Sequence, residues 1–205
     1  MGRAVCRAAL RRGWQVSSLS RHGAPIDGNS VGKVKWIKGS ALNADDLKGA
    51  IDESRPTFMV HSIGTLYESP PDRTYESMNH KTLQTLLSLK PSISAIGYVS
   101  AAWFDPLTNS ILSGYNCSMR EAEKELMTWE ANGYGRALVF RPGLVYGRDR
   151  WMTIPIAFLV RLVSFFTAGI FPPPIHVDRL ADSILHSLEN SQKGENRLIY
   201  EPRNL

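Results

Sequence analysis

The chain has 205 residues, of which 43% are hydrophobic and 21% are charged. This length suits one domain with a single core, and this composition excludes a disordered chain. The formal net charge is +5, and the basic residues are spread along the chain rather than collected in one block. That pattern argues against a nucleic-acid-binding surface, whereas an anionic cofactor or a lipid surface would account for it. We therefore predict a single domain over residues 1–205 that binds no nucleic acid.

Two features of the sequence bear on the protein's location. Cys6 and Cys117 lack metal-ligand spacing and follow no secretory signal, which is typical of buried thiols in a reducing compartment. The first 26 residues contain five arginines and no acidic residue. Mitochondrial presequences share that composition, but the same residues also have the periodicity of a helix that belongs to the fold. Composition alone leaves both interpretations open.

Helices alternate with strands along the chain. Residues 3–12 carry apolar side chains on one side and arginines on the other, which predicts a helix that ends at Gly13. The segments after it are predicted as strand WQVSSLSR, strand VKWIKG, helix NADDLKGAI capped by Asn43, strand RPTFMVHSIG, helix YESMNHKTLQTLLSL, strand AIGYVSAAW, a helix after Tyr115 and strand RALVFRPGLVYG. Several strands are nearly continuous apolar runs, which is typical of a parallel sheet covered on both faces. The predicted fold class is α/β with a doubly wound, mostly parallel sheet.

Residues 151–171 form a long apolar run, WMTIPIAFLVRLVSFFTAGIF. Its length would permit a membrane span, but Pro155 and Arg161 interrupt it. We expect residues 151–175 to form a surface helix or a lid, with an apolar face buried against a ligand or a membrane.

Polar and small residues follow the predicted strands, at the edge where doubly wound sheets bind their ligands. These positions are Ser20, Arg21, Ser40, Ser62, Gly64, Ser100, Arg141 and Pro142. Glycine, serine and proline also end strands where no ligand binds, so each position alone is compatible with a simple turn. Their recurrence after successive strands predicts a ligand site.

Taken in chain order, these residues resemble the extended and atypical branch of the short-chain dehydrogenase/reductase superfamily, which includes the nucleotide-sugar epimerases. VHSIG matches the glycine motif of the family's fourth strand, YVSAAW its fifth strand, and SGYNCSMREAEKEL its Tyr-x-x-x-Lys helix. FRPGLVYG and PPIHVDRLADSIL match two later motifs, and MNHKTLQTLL the helix that Asn79 opens. The resemblance implies a Rossmann-like domain that binds NAD(P).

Within that branch, GRAVCRAALRRGWQVSSLSRHG is similar to mitochondrial proteins related to a complex I accessory subunit and to a fungal group associated with coenzyme Q biosynthesis. This similarity implies a location in the mitochondrial matrix or at the inner membrane. It also implies a mitochondrial protein complex as partner and a role in ubiquinone biosynthesis. The apolar run at residues 151–175 would suit an isoprenoid quinone tail or a membrane surface.

The resemblance is incomplete at the start of the fold. Members of the family open with a strand and a glycine-rich loop that holds the cofactor pyrophosphate at a helix N-terminus. Gly2 matches the last glycine of that loop, so we expect the first strand and most of the loop to be missing. The arginine-rich start then corresponds to the helix after the loop, and dinucleotide binding by the chain as given should be impaired.

The remaining cofactor positions follow from the resemblance. An acid after the second strand would bind the ribose hydroxyls of NAD, but this chain has Ser20, Arg21 and a histidine there, which favours NADP. Ser40 stands where the family has an adenine-contacting aspartate. The cofactor-binding residues implied by the resemblance are Gly2, Ser20, Arg21, Ser40, Ser62, Gly64, Arg141 and Pro142.

The catalytic positions are the most altered part. In this family a tyrosine acts as general acid or base, a serine positions the substrate oxygen, and a lysine one turn on lowers the tyrosine pKa. Tyr115 matches the tyrosine, but Met119 stands at the lysine position and Ala102 at the serine position, with Ser100 as a weaker substitute. An unpaired phenol titrates near ~10, and a nearby cation is what favours its charged form. We expect little or no turnover.

Structural interpretations of the same residues stay open. Tyr115 and Met119 could simply pack in the core, which is the commonest use of methionine. Ser118 and Glu121 fit a capping box, although the resemblance places the helix start before Tyr115. His176 could belong to a proton relay or cap the helix that follows it.

Three functions are compatible with the sequence. The first is a nucleotide-binding protein with little or no catalysis, accessory to quinone metabolism or respiratory-chain assembly. The second is an active NADP-dependent oxidoreductase or epimerase that uses Tyr115. The third is a truncated product without function.

Overall fold

The computed structural model describes residues 1–25, 33–71, 73–102, 112–147, 174–192 and 199–200. Residues 151–173 of the predicted lid or membrane-facing segment, 151–175, lie outside these ranges. Within the described ranges, every helix is too short or too polar to cross a bilayer.

Helices and strands alternate as the sequence predicts. The helices are α1 (Gly2–Arg11), α2 (Ala44–Ser54), α3 (Thr82–Ser88), α4 (Ser113–Ala131) and α5 (Val177–Ser191), and a π-helical segment, Glu76–Lys81, leads directly into α3. The strands are β1 (Ser17–Ser20), β2 (Lys35–Lys38), β3 (Phe58–His61), β4 (Ala95–Val99), β5 (Arg136–Phe140), β6 (Val145–Tyr146), β7 (Ile175–His176) and β8 (Ile199–Tyr200).

Every strand pair among the described residues is parallel. A four-stranded sheet has the order β3-β4-β5-β8, while β1 pairs with β2 and β6 pairs with β7. The four-stranded sheet is covered on both faces. A first core packs it against α1 and α5, and a second core packs it against α2, α3 and α4. The predicted α/β class with a doubly wound sheet is confirmed.

Local sequence signals account for several element boundaries. Asn43 Oδ1 accepts hydrogen bonds from the N–H groups of Asp45 (2.9 Å) and Asp46 (3.4 Å), so the predicted cap of α2 is confirmed. Gly13, just after α1, has a φ of +76°, which favours glycine at that helix stop. His176 Nδ1 accepts a hydrogen bond from the Asp178 N–H at 3.3 Å, so this histidine caps α5.

One predicted strand is divided into two. The segment RALVFRPGLVYG was predicted as continuous, but β5 ends at Phe140 and β6 begins at Val145. Pro142 has no N–H to donate to a neighbouring strand, and its carbonyl accepts the Ala102 N–H at 2.9 Å. The chain therefore leaves the four-stranded sheet here, and β6 pairs with β7 instead.

Candidate functional site

The start of α1 lies against the carboxyl end of β3. A Cβ atom on Gly2 would come within 3.3 Å of Ser62 Oγ, so backbone and hydroxyl are in close approach. The first turn of α1 contains no acidic residue and no side-chain cap. The N-terminal end of a helix carries a partial positive charge, which favours an anion. Two of the predicted cofactor residues, Gly2 and Ser62, are therefore neighbours in the fold.

Gly64 lies two residues further on, above a buried amide. A Cβ on Gly64 would lie 3.2 Å from Asn79 Oδ1 and 3.5 Å from Met119 Cε. Asn79 is fully buried, accepts the Thr65 N–H at 2.6 Å and donates to Ser118 Oγ at 3.2 Å. This amide ties the loop after β3 to α4. The loop therefore has a fixed position beside Ser118 and Met119 of α4.

Tyr115 and Met119 share one face of α4 but have different surroundings. Tyr115 is half-buried, and its ring meets the Tyr75 ring edge-on with centroids 5.9 Å apart. Met119 is only 4% exposed, and its sulfur accepts the hydroxyl of Tyr98 at 3.1 Å. The interpretation of Met119 as a core side chain is confirmed. The position that carries the family's lysine is thus filled by a buried thioether.

The helix around these residues begins before Tyr115, at Ser113. Ser118 is buried inside α4, and its hydroxyl donates to the Tyr115 carbonyl at 2.8 Å. The capping-box interpretation of Ser118 and Glu121 is therefore wrong, because a capping serine precedes its helix.

A buried carboxylate, Glu123, organises the next part of the edge. It is 5% exposed and accepts a hydrogen bond from the Ser100 hydroxyl. Arg141 Nη2 lies 2.5 Å from one of its oxygens and Arg141 Nε lies 3.1 Å from the other. Arg120 also binds this carboxylate and donates to the Ala101 carbonyl at 2.7 Å. We call these four side chains, Ser100, Arg120, Glu123 and Arg141, the Glu123 cluster.

The Glu123 cluster changes the meaning of two predicted site residues. Ser100 was a weak catalytic candidate and Arg141 a cofactor-binding candidate, and both donate to Glu123. Burial alone would raise the pKa of Glu123, but the hydrogen bonds from its three donors outweigh burial and lower that pKa. Arg120 binds Glu123 and the Ala101 carbonyl. Its guanidinium therefore does not replace the lysine that the family has at the position of Met119.

Glu123 was missed at the sequence level, although a signal was present. It follows Met119 by four residues, so a carboxylate falls on the buried face of α4. A charged residue on an apolar helix face requires a buried partner, and Arg141 after β5 is that partner. Because Glu123 and Arg141 are far apart in the sequence, the sequence alone did not reveal their pairing.

The predicted adenine end of the site lies after β1 and β2. The Ser20 hydroxyl donates to the Gly23 carbonyl at 2.8 Å, while Arg21 is exposed. Ser40 Oγ accepts the Leu42 N–H at 3.3 Å, and the Ser40 N–H donates to Asp46 Oδ2 at 2.8 Å. Both serines therefore shape turns, and Arg21 presents its charge to solvent. Asp46, at the start of α2, was not among the predicted residues.

Two remaining predicted positions, Ala102 and Pro142, lie in the packed interior, and so does His61. Ala102 is 1% exposed, and its N–H bonds to the carbonyl of buried Pro142. His61, which ends β3, is 5% exposed, and its Nε2 lies 3.1 Å from Thr82 Oγ1. Burial lowers the pKa of His61 to about 4. Ala102, which the resemblance places at the family's serine position, is thus a methyl group in the core.

Comparison with known proteins agrees with this architecture. Residues 1–200 match the family described as the NAD dependent epimerase/dehydratase family. The chain is 24% identical over 254 residues to MIOREX complex component 2 of Saccharomyces cerevisiae, covering 93% of this chain and 90% of that protein. It is 26% identical over 215 residues to an uncharacterised chloroplastic protein of Arabidopsis thaliana, covering 93% and 68%.

A solved structure supports the same fold. The UDP-glucose 4-epimerase of Brucella ovis, solved in complex with NAD, superposes with a TM-score of 0.74 at 14% identity and covers 98% of this chain and 73% of that one. At this identity the likeness shows the fold alone. Together with the family match over nearly the whole chain, it confirms the resemblance drawn from the motifs: the chain belongs to the NAD-dependent epimerase/dehydratase family, within the short-chain dehydrogenase/reductase superfamily.

Proposed function

We propose that this protein is a nucleotide-binding member of its family that has lost most of the family's chemistry. In this proposal it serves an accessory role in mitochondrial quinone metabolism or respiratory-chain assembly. The observation that carries the proposal is Met119, a buried thioether under the Tyr98 hydroxyl where the family has a cation. Met119, one helical turn after Tyr115, therefore supplies no positive charge that would favour the ionised form of the phenol.

The residues present fit one end of a dinucleotide. Gly2 and Ser62 approach closely at the start of α1, where a pyrophosphate would meet a helix N-terminus free of acidic residues. Arg21 is exposed after β1, where it would pair with a 2′-phosphate, so NADP is the proposed cofactor. The other members of the proposed cofactor-binding set, Ser20, Ser40, Gly64, Arg141 and Pro142, would shape the backbone around the cofactor, since Ser20 and Ser40 hold turns and Arg141 binds Glu123.

The residues present do not fit the reactive end. Two of the family's three catalytic positions carry apolar side chains, Met119 and Ala102, and both are buried. The hydroxyl of Ser100 donates its proton to Glu123. Ser100 could therefore accept a hydrogen bond from a substrate but could not donate one to it. General acid–base help is worth roughly 10²- to 10⁴-fold in rate. A protein without it at this site would bind a nucleotide and turn it over slowly, if at all.

The proposed location and partners rest on similarity. A relative named as a component of the MIOREX complex supports membership of a protein assembly, and a relative named as chloroplastic supports an organellar location. The mitochondrial location and the quinone role extend the resemblance of residues 2–23. Residues 151–175 are proposed to face an isoprenoid tail or a membrane surface.

The cofactor proposal predicts an effect of Arg21. Replacing Arg21 with alanine should weaken NADPH binding by about tenfold and leave NADH binding nearly unchanged, because the guanidinium would pair only with the 2′-phosphate. Fluorescence titration of both dinucleotides measures this difference. Arg179→Ala removes an equally exposed arginine from α5 and serves as the control for charge alone. Equal losses for NADPH and NADH would contradict the proposal.

A second function is favoured by one observation. Tyr115 keeps the position of the family's acid–base residue and is half-buried rather than packed away. An NADP-dependent oxidoreductase or epimerase that relies on this phenol alone would therefore need its hydroxyl. Tyr115→Phe separates the two functions, because an accessory role survives it and an enzymatic role does not.

A further inference from the structure

An open cleft lies at the edge of the sheet opposite the candidate site. Its volume is about 730 Å³, and its lining comes from residues 48–56, around the end of α2, and residues 88–92, around the end of α3. These segments lead into the amino ends of the parallel strands β3 and β4. Ser62 and Ser100 follow the carboxyl ends of the same two strands. The cleft is therefore separate from the proposed nucleotide-binding positions.

Cationic side chains dominate this cleft, which we call the basic cleft. Lys48, Arg55 and Lys90 line it and are exposed, and Asp52 is the one acidic residue in its described lining. Within the described part of the chain, none of these three cations pairs with a carboxylate. Lys90 instead lies over the ring of Tyr134, with its Nζ 5.2 Å from the ring centroid. The basic cleft therefore has an excess of positive charge that the described part of the chain does not neutralise.

The backbone is strained at two of these cations. Arg55, directly after α2, has a φ of +43°, and Lys90, two residues after α3, has a φ of +46°. Among the residues that the structure describes, these are the two positions other than glycine with positive φ. After α1 and α4 the residues with positive φ are Gly13 and Gly133, and glycine adopts this conformation without a steric penalty. Both helix ends that line the basic cleft thus carry a strained cation where glycine would be the relaxed choice.

Apolar side chains make up another part of the same lining. Ile51 and Leu89 are half-buried, and Pro91 is buried. Tyr134, beside Lys90, is 37% exposed and adds an aromatic surface next to the cleft. Cations from two different segments therefore share one cleft with an apolar surface.

We propose that the basic cleft is a docking site for an acidic peptide segment of a partner protein, in which carboxylate side chains flank an apolar residue. The carboxylates would pair with Lys48, Arg55 and Lys90, and the apolar residue would cover Ile51 and Leu89. This surface goes beyond the proposed function, because it lies at the opposite edge of the sheet and needs no nucleotide.

The distribution of charge favours a peptide over two other anions. The three cations are exposed and belong to two segments, instead of converging in an enclosed pocket, so several spaced carboxylates suit them better than one small anion. A nucleic acid presents a dense row of phosphates and is normally held by many cations, whereas this cleft has three and also contains Asp52.

Fluorescence anisotropy with the labelled peptide Glu-Glu-Leu-Glu-Glu tests the proposal. The peptide Gln-Gln-Leu-Gln-Gln has the same length and the same apolar residue without the charges. The acidic peptide should bind the full chain saturably and at least roughly tenfold more tightly than the glutamine peptide. Raising the NaCl concentration from about 50 mM to about 500 mM should weaken its binding, because salt screens exposed charges.

The variants Arg55→Gly and Lys90→Gly separate binding from a structural role of the cations. Each removes one charge and should weaken binding of the acidic peptide by roughly fivefold to tenfold. The melting temperature should stay the same or rise, because glycine accepts positive φ without strain. Lys124→Ala removes one exposed charge from α4, outside the basic cleft, and should leave the affinity unchanged.

Several results would overturn the proposal. The acidic peptide could fail to saturate below about 1 mM, or both peptides could bind equally well. The glycine variants could melt at a lower temperature and bind the peptide as the native chain does, which would assign the cations to the helix ends alone. Displacement of the peptide by inorganic phosphate at constant ionic strength, or tighter binding of a short single-stranded RNA, would assign the cleft to another anion. Because no nucleotide cofactor enters these measurements, their failure is distinct from failure of the proposed function.

Discussion

Replacing Glu123 with alanine is expected to lower the free energy of unfolding by about 3–5 kcal/mol. The carboxylate is 5% exposed and bonds to two arginines and one serine from three parts of the chain. Its removal leaves the guanidinium groups of Arg120 and Arg141 close together with no opposing charge from Glu123. The residues that follow β4 and β5, Ser100 and Arg141, would also lose their contact with Glu123 of α4.

Urea unfolding at neutral pH measures this loss. Glu121→Ala is the matched control, because Glu121 lies on the same helix but half of its side chain is exposed. The control should change stability by less than ~1 kcal/mol. A loss of under ~1 kcal/mol for Glu123→Ala as well would show that the Glu123 cluster does not hold the strand ends together.

Stability is expected to fall as the pH drops from 6.5 toward 4, because of His61. Burial lowers the pKa of this histidine from 6.5 to about 4, so the unfolded chain binds a proton in this window that the folded chain does not. The contribution is complete above pH 6.5 and lost as the pH falls through the window. Its size is about 3 kcal/mol, since one pKa unit corresponds to about 1.4 kcal/mol.

The free energy of unfolding is measured against pH for the native chain and for His61→Gln. The difference between the two curves separates the effect of His61 from that of the carboxylates. Glutamine keeps a polar group near Thr82 but does not titrate, so its unfolding free energy should be flatter between about pH 7 and pH 5. Glu123 acts in a different window, because a lowered carboxyl pKa costs stability only below its usual value near 4.5. An unchanged slope in His61→Gln would mean that His61 can be protonated in the folded state.

The sequence predicted those parts of the fold that depend on neighbouring residues. The Asn43 cap, the glycine stop at Gly13 and the alternation of apolar strands with helices are local signals, and all are present in the structure. The division of the strand after Phe140 was not predicted, because it depends on the pairing of β6 with a segment some 30 residues later. Periodicity carries no information about such a partner.

The candidate site was predictable in its positions and less so in its contacts. The resemblance singled out Tyr115, Met119 and Ala102 as the positions to compare, and burial of Met119 agrees with a core role. The contacts of Ser100 and Arg141 could not be read from the sequence. Both side chains meet Glu123 only because β4, β5 and α4 are packed together, and that arrangement is a property of the fold.

The central claim is that this protein acts without the family's chemistry. The most direct test is whether its function requires the Tyr115 hydroxyl. Cells that lack the protein would be complemented with the native chain or with Tyr115→Phe at equal protein levels, and their quinone content measured. Our account predicts that Tyr115→Phe restores the quinone content as fully as the native chain does. Loss of complementation by a Tyr115→Phe protein of unchanged stability would contradict it and identify an enzyme.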